Sequence, residues 1–160
     1  FFKIHIVLCY NLPMSLLENK KAGLEYELGE KYEAGIELHG FEVKTLREKH
    51  GSLIGSYVLV KDGQAYLLGA FIPPYQEKNA PTGFDPKRTR TLLLSKKELR
   101  TLTQEVKEKG LTLVPLSLYN KGTKIKLGFA LGRGKKKYDK RETLKKKTVD
   151  RETRREHKLR

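Results

Sequence analysis

The sequence is poor in the residues that build disulfides and metal centres. It has one cysteine, one methionine, no tryptophan and four histidines, and no two histidines are four residues apart. Cys9 cannot form an internal disulfide and is typical of a reducing compartment, so we expect a cytoplasmic protein. A zinc site needs several Cys or His ligands at short spacing. We therefore expect no metal site and no cofactor.

Catalytic motifs are also missing. The chain has no Gly-x-Ser-x-Gly elbow, and residues 132–135 (Gly-Arg-Gly-Lys) lack the spacing of a Walker phosphate loop. Glu27, Glu30, Glu33 and Glu42 are the types of residue that hold Mg²⁺ in a nuclease, but their spacing favours no pair. A metal-dependent nuclease is therefore only an alternative, and we expect a protein that is not an enzyme.

Long apolar runs are absent as well. Outside residues 1–12, no apolar stretch approaches the roughly 20 residues that span a bilayer, so we expect no membrane partner. Residues 1–12 are apolar, but they lack a basic leader and no small-residue cleavage site follows them. We interpret residues 1–13 as a doubtful N-terminal extension, with initiation at Met14.

What the sequence does have is positive charge, concentrated at one end. It contains 34 Lys and Arg against 19 Asp and Glu, which gives a net charge of +15. Residues 132–160 carry 14 of the basic and five of the acidic residues, a net charge of +9, against +6 for the 131 residues before them. This segment cannot bury enough apolar surface to offset its ordering entropy. We expect a basic tail that is disordered until a polyanion, such as nucleic acid, orders it.

The spacing of charges within this tail favours a helix once it is ordered. Glu142–Lys146, Asp150–Arg154 and Glu156–Arg160 are acid-before-base pairs at i,i+4. The apolar residues form no continuous stripe, so such a helix has no face to pack on its own domain. We predict a tail that lies helically along a phosphate-lined groove, joined to the body by a flexible segment at residues 132–135. A solvated tail that only aids solubility is the alternative.

The body, residues 14–131, has the patterns of an antiparallel β protein. Alternating apolar and charged residues from Leu24 predict a strand, and residues 56–69 predict a hairpin that turns at Asp62-Gly63. Two strands close the domain: 111–118 and, after a turn at residues 120–122, 124–131. The second strand has Ile125, Leu127, Phe129 and Leu131 on one face. Pro115 makes the first of these an edge strand or a bulged one.

One helix is well marked, between the strands. Ser95 and Glu98 form a capping box, and Gly110 occupies the position that ends a helix. Residues 41–49 fit either a strand or a short helix, and residues 75–90 fit an exposed loop. The class is therefore mainly β with α: an OB-like antiparallel β-barrel with flanking helices and a basic C-terminal tail. An open α+β sheet is the alternative.

Eight segments stand out in order along the chain, from about Asn19 to the C-terminus. They are Asn19-Lys20-Lys21-Ala22, Tyr32-Glu33-Ala34-Gly35-Ile36, Gly40-Phe41-Glu42-Val43-Lys44-Thr45-Leu46-Arg47, Ser56-Tyr57-Val58, Pro86-Lys87-Arg88-Thr89-Arg90, Leu92-Leu93-Leu94, residues 109–116, and Gly134-Lys135-Lys136 with Tyr138-Asp139-Lys140-Arg141. Taken together, these segments resemble one family, the SsrA-binding protein (small protein B), the bacterial partner of transfer-messenger RNA (tmRNA).

The resemblance implies an OB-like barrel that binds the tRNA-like domain of tmRNA and delivers it to ribosomes stalled without a stop codon. It implies an RNA-binding surface that includes Asn19, Lys20, Lys21, Glu33, Gly35 and Lys44, with Leu93 and Lys126 nearby. Glu33 would accept hydrogen bonds from base or 2′-OH donors.

The resemblance also gives the tail a role at the small-subunit decoding centre and in the empty mRNA channel. The residues implied there are Lys135, Lys136, Tyr138, Asp139, Lys140 and Arg141. Two departures stand out. Gly23-Leu24 replaces a pair that is usually basic or His-containing, and Tyr138 stands where relatives also have His. We expect a monomer; a structural ribosomal or nucleoid protein with the same barrel and arm is the alternative.

Overall fold

The structure is a computed structural model that describes residues 15–136 except 77 and 79, together with residues 139, 141, 142, 144 and 148. These residues form strands and helices in the following order: β1 (Ser15–Glu18), α1 (Ala22–Glu25), β2 (Tyr26–Ile36), α2 (Gly40–Arg47), β3 (Tyr57–Lys61), β4 (Gln64–Leu68), β5 (Arg90–Leu93), α3 (Lys96–Lys109), β6 (Thr112–Lys121) and β7 (Lys124–Gly134).

All strand pairings are antiparallel, and they form a closed ring. The order β6-β3-β4-β5-β2-β7 returns to its start because β7 also pairs with β6 along its length. The other edge of β6 is shared, by β3 at Leu113 and by β1 at residues 117–119. Closure removes exposed strand edges. The predicted mainly β class with helices is confirmed, and the closed ring favours the OB-like barrel over the open sheet.

Successive side chains on a strand point to opposite faces, so every second residue points into the ring. The residues that point inward are apolar. Ile125, Leu127, Phe129 and Leu131, the predicted inner face of the last strand, are all buried. Leu102 of α3 is also buried and joins the same cluster. The outward side chains of β2, β6 and β7 are thereby left on the surface.

The signals in α3 and in the hairpin are confirmed. The Glu98 N–H donates to Ser95 Oγ at 3.3 Å, the Ser95 N–H donates to Glu98 Oε2 at 2.9 Å, and Gly110 follows the helix with φ of 59°. Asp62 and Gly63 both have positive φ, as the hairpin turn requires. Pro115 lies at a register irregularity of β6, so the strand is bulged there, which was one of the two predicted arrangements. It is not an edge strand, because β6 pairs along both of its edges.

Other elements differ from the sequence-based expectation. The segment 41–49, which fitted a strand or a helix, is helical over most of its length as α2. The short strands β1 and β5 were not predicted, and Leu24 lies in α1 rather than in a strand. Both missed strands have only four residues. The partner of β1 is β6, which is distant in sequence, and β5 pairs with the distant β2 and with β4, from which a long loop separates it.

The end of the barrel also lies beyond the predicted boundary at Leu131. Strand β7 continues to Gly134, and Gly132 is paired with both Leu28 and Thr112. Gly132 is buried, and a Cβ there would lie only 2.9 Å from Val114 Cγ2, so a larger residue would force a shift. The predicted flexible segment at 132–135 is therefore ordered strand over its first three residues. The division into barrel and tail stays a prediction.

A buried ion-pair network fixes α2 to the loop before β5. Glu42 and Arg90 are both fully buried, and Arg90 Nη2 donates to Glu42 Oε1 at 2.8 Å. Arg88 Nη2 donates to Glu42 Oε2 at 2.6 Å. Arg90 also donates to the carbonyls of Ala70 and Pro86. Burial raises the pKa of Glu42, but the hydrogen bonds from Arg88, the His39 N–H and Arg90 outweigh it, so the pKa lies below its usual value.

We expect Glu42→Gln to lower the free energy of unfolding by about 3–5 kcal/mol, because it leaves the buried Arg90 guanidinium without its counter-charge. Urea unfolding followed by circular dichroism measures this. Glu27→Gln, an exposed change on β2, is the control and is expected to change stability by about 0.5 kcal/mol at most. Equal stabilities of the two variants would contradict the role of the network.

Candidate RNA interface

The strand register brings four of the predicted RNA-binding residues together on the outside of the barrel. Gly35 of β2 is opposite Lys126 of β7 on one side and Leu93 of β5 on the other. Glu33 is two residues along β2 and is opposite Gly128. On β6, Tyr119 is opposite Lys126. Glu33, Gly35, Leu93 and Lys126 therefore lie on one surface, spread over neighbouring strands.

Glu33 is the centre of a hydrogen-bonded cluster on this surface. Its Oε1 accepts from Lys126 Nζ at 2.6 Å and from Lys121 Nζ at 2.9 Å. Its Oε2 accepts from the Tyr119 hydroxyl and from Lys121 Nζ at 3.2 Å. Tyr119 and Lys121 were not among the predicted site residues. We call the surface formed by Glu33, Gly35, Leu93, Tyr119, Lys121 and Lys126 the Glu33 face.

The contacts within the cluster shift the pKa values of Glu33 and Tyr119 in opposite directions. Hydrogen bonds from Lys126, Tyr119 and Lys121 lower the pKa of Glu33 to about 2. Burial, together with the hydrogen bond to Glu33, raises the pKa of Tyr119 well above its usual value. At neutral pH the cluster therefore contains one carboxylate, two ammonium groups and a neutral phenol. Its net charge is positive.

Two glycines make room for the larger side chains of the Glu33 face. A Cβ on Gly128 would lie 3.4 Å from Tyr119 Cε1, so the Tyr119 ring passes over Gly128 to reach Glu33 from two strands away. A Cβ on Gly35 would lie 3.2 Å from Leu93 Cβ. Leu93 leans over Gly35, and its side chain is still 62% exposed. The face thus combines cations with an exposed apolar side chain.

Asn19, Lys20 and Lys21 lie in the turn between β1 and α1. Asn19 Nδ2 donates to the Pro115 carbonyl at 3.0 Å, so Asn19 ties this turn to the bulge of β6. Lys20 and Lys21 are exposed. The pairings of Glu18 with Ser117, Ser117 with Gly128 and Gly128 with Glu33 form a continuous row from β1 to β2. The turn therefore adjoins the Glu33 face at one end of that row.

The start of the tail is bound to α1, which directly follows the same turn. The Lys135 N–H donates to the Glu25 carbonyl at 2.9 Å, and Lys135 Nζ donates to the Gly23 carbonyl at 3.0 Å. Lys136 is exposed. Lys135 therefore lies close to the turn that carries Lys20 and Lys21 and adds to the basic surface there.

Other predicted residues are separate or undescribed. Lys44 is exposed on α2 and makes no ion pair with any residue that the structure describes. Asp139 and Arg141 have helical backbone, as do Glu142, Leu144 and Thr148. Tyr138 and Lys140 lie outside the described residues, as do residues 1–14 and the acid-before-base pairs beyond Glu142. The ordering of the tail by RNA stays a prediction.

The sequence carries a signal for Tyr119 and Lys121 in the position of the last hairpin turn. Placing the turn at residues 120–122 ended the preceding strand too early. The turn is at Gly122 and Thr123, so Asn120 and Lys121 continue β6. Counting the hairpin register back from that turn places Tyr119 opposite Lys126 and Lys121 opposite Lys124.

The acidic residues considered for Mg²⁺ are not gathered into a metal site. Glu42 is buried with two arginines, and Glu33 is bonded to two lysines. Among the residues that the structure describes, no group of three or more His, Cys, Asp or Glu side chains is arranged to hold a metal ion. In the same part of the chain, no helix is long and apolar enough to cross a bilayer.

We expect Tyr119→Phe to raise the pKa of Glu33 from about 2 toward the usual glutamate value, because one of the hydrogen bonds that lower it is lost. A ¹³C NMR titration of the side-chain carboxyls measures this. Tyr66→Phe removes a hydroxyl that bonds Gln64 instead, so it is the matched control. An unchanged Glu33 pKa in Tyr119→Phe would contradict the described cluster.

Comparisons with known proteins agree on one family. The family model described as "SmpB protein" matches residues 16–159. An SsrA-binding protein of Bordetella pertussis is 48% identical over 139 residues, which cover 87% of this chain and 90% of the relative. An SsrA-binding protein of a Sulfurihydrogenibium species is 52% identical over 134 residues, which cover 84% of this chain and 88% of the relative.

A solved structure supports the same assignment. It is described as "tmRNA-SmpB: a journey to the center of the bacterial ribosome" and matches with a TM-score of 0.63 and 44% sequence identity. The match covers 80% of this chain and 93% of the other. Sequence and structure therefore lead to the same conclusion: this chain belongs to the SmpB family of SsrA-binding proteins.

Proposed function

We propose that this chain is a tmRNA-binding factor of trans-translation, and that it acts as a monomer in the cytoplasm. It binds the tRNA-like domain of tmRNA and delivers it to ribosomes that have stalled without a stop codon. It is a binding factor rather than an enzyme. The observation that carries the proposal is the Glu33 face, where residues implied by the family resemblance lie on adjacent strands around two lysines.

The Glu33 face has the chemistry that folded RNA requires. Lys121 and Lys126 keep 61% and 30% of their side chains exposed, so each ammonium group has room for a phosphate oxygen. Leu93 offers an exposed apolar contact to an unstacked base or a ribose. Lys20 and Lys21 extend the basic surface along the row from β2 to β1. A net charge of +15 favours rapid encounter with RNA.

The tail has a different task in this proposal. Lys135, Lys136, Tyr138, Asp139, Lys140 and Arg141 act at the small-subunit decoding centre, and the rest of the tail lies along the empty mRNA channel. The net charge of +9 over residues 132–160 supports a phosphate-lined path. The helical backbone at Asp139, Arg141, Glu142, Leu144 and Thr148 fits a helical tail. Recognition of tmRNA is then left to the barrel.

We expect the full chain to bind the tRNA-like domain of tmRNA at least about tenfold more tightly than an unrelated structured RNA of the same length, at about 150 mM salt. Fluorescence anisotropy with labelled RNA measures both affinities. Lys126→Ala is expected to weaken binding and to lower the slope of log affinity against log salt by about one, because one phosphate contact is lost. Equal affinity for the two RNAs would instead favour a general structural protein of the ribosome or nucleoid.

We expect a chain that ends at Lys136 to keep its affinity for the tRNA-like domain within a few-fold but to lose peptide tagging on stalled ribosomes. This end point retains all of β7 and the hydrogen bond from the Lys135 N–H to Glu25. A chain with residues 137–160 replaced by a Gly/Ser linker of equal length is the control for tail length. Loss of most RNA affinity on truncation would contradict the division between barrel and tail.

A further inference from the structure

The two oxygens of Glu33 are already fully engaged within the chain. An ionised carboxylate has about four lone-pair positions. Oε1 accepts from Lys121 and Lys126, and Oε2 accepts from Tyr119 and Lys121. No lone pair is left for a base or a 2′-OH donor while these bonds persist. Glu33 therefore acts on RNA through its neighbours.

The same contacts hold two cations close together. Lys121 Nζ is 2.9 Å and Lys126 Nζ is 2.6 Å from one oxygen, Glu33 Oε1, so the two nitrogens are at most about 5.5 Å apart. Two ammonium groups at this separation repel each other, and the carboxylate between them offsets the repulsion. Each ammonium has three donors, so both can still donate to a phosphate. The result is a pair of phosphate donors at a fixed separation.

Tyr119 fixes the other side of the carboxylate. Its hydroxyl donates to Glu33 Oε2, and its ring crosses Gly128, where a Cβ would already lie in contact with the ring at 3.4 Å from Tyr119 Cε1. Because Tyr119 comes from β6 and Glu33 from β2, this bond spans β7 and limits rotation of the carboxylate. A fixed carboxylate gives a fixed position for both lysines.

We propose that Lys121 is a further phosphate-binding residue of this surface, and that Glu33 and Tyr119 are positioning residues that hold Lys121 and Lys126 together for one RNA phosphate. The proposal rests on the RNA-binding function proposed above and names residues within it. In this arrangement an acidic side chain increases the affinity for a polyanion. That sign is opposite to the effect of net charge alone.

The sign of the Glu33→Gln effect tests the proposal. The variant gains one unit of positive charge, so long-range attraction alone would tighten binding to the tRNA-like domain. Positioning predicts about tenfold weaker binding, measured with the full chain by fluorescence anisotropy at about 150 mM salt. Tighter or unchanged binding would overturn the proposal.

Lys121→Ala tests the phosphate contact without disturbing the fold, because this side chain is exposed at the end of β6. We expect several-fold weaker binding and a salt slope lower by about one. The matched control is Lys61→Ala, since Lys61 is also an exposed lysine at a strand end just before a two-residue hairpin turn. Equal slopes for the two variants would overturn the role of Lys121.

A double-mutant cycle separates positioning from direct contact by Tyr119. Tyr119→Phe alone is expected to weaken binding several-fold with no change in charge, and to have no further effect in the Glu33→Gln background. Additive effects would show that Tyr119 acts independently and would overturn its positioning role.

A different result would contradict the proposed function itself: an unmutated chain that does not prefer the tRNA-like domain over unrelated RNA. Failure of the proposed function is therefore distinguishable from failure of the positioning role, because the first is seen with the unmutated chain and the second only with the variants.

Discussion

The position of β7 between β2 and β6 is the constraint on which the candidate site depends. β7 pairs with both neighbours over most of its length, so its register places Lys126 between Gly35 and Tyr119 and places Gly128 between Glu33 and Ser117. The same pairings close the barrel and bury Leu127 and Phe129 on the inner face. A shift of one residue would turn Lys126 into the core and Leu127 out to solvent. The hydrophobic core therefore specifies the surface indirectly.

Two carboxylates serve this basic protein in different ways. Glu42 is fully buried and offsets one of the two positive charges of Arg88 and Arg90, and its ion pairs with both fix α2 to the loop before β5. Glu33 is partly exposed and holds two lysines that remain accessible to solvent. The first arrangement removes positive charge from the surface, and the second keeps it there in a defined geometry. Counting charges along the sequence does not distinguish them.

The sequence was sufficient where the signal is local. The capping box at Ser95, the turn at Asp62-Gly63 and the inward alternation from Ile125 are each set by neighbouring residues, and each is confirmed. Strands β1 and β5 were missed because four residues give little periodicity and their partners are distant along the chain. Tyr119 and Lys121 were missed because the hairpin turn was misplaced. The burial of Arg90, predicted in an exposed basic loop, depends on Glu42, which is 48 residues away.

Whether the Glu33 face binds RNA is tested most directly by NMR chemical-shift mapping. The backbone amides of the full chain are followed as the unlabelled tRNA-like domain of tmRNA is added. If the Glu33 face binds RNA, the largest changes are expected at Glu33, Gly35, Leu93 and Lys126, with little change at the β3–β4 hairpin turn around Gly63. Changes concentrated at that hairpin or along α3, with the Glu33 face unaffected, would contradict it.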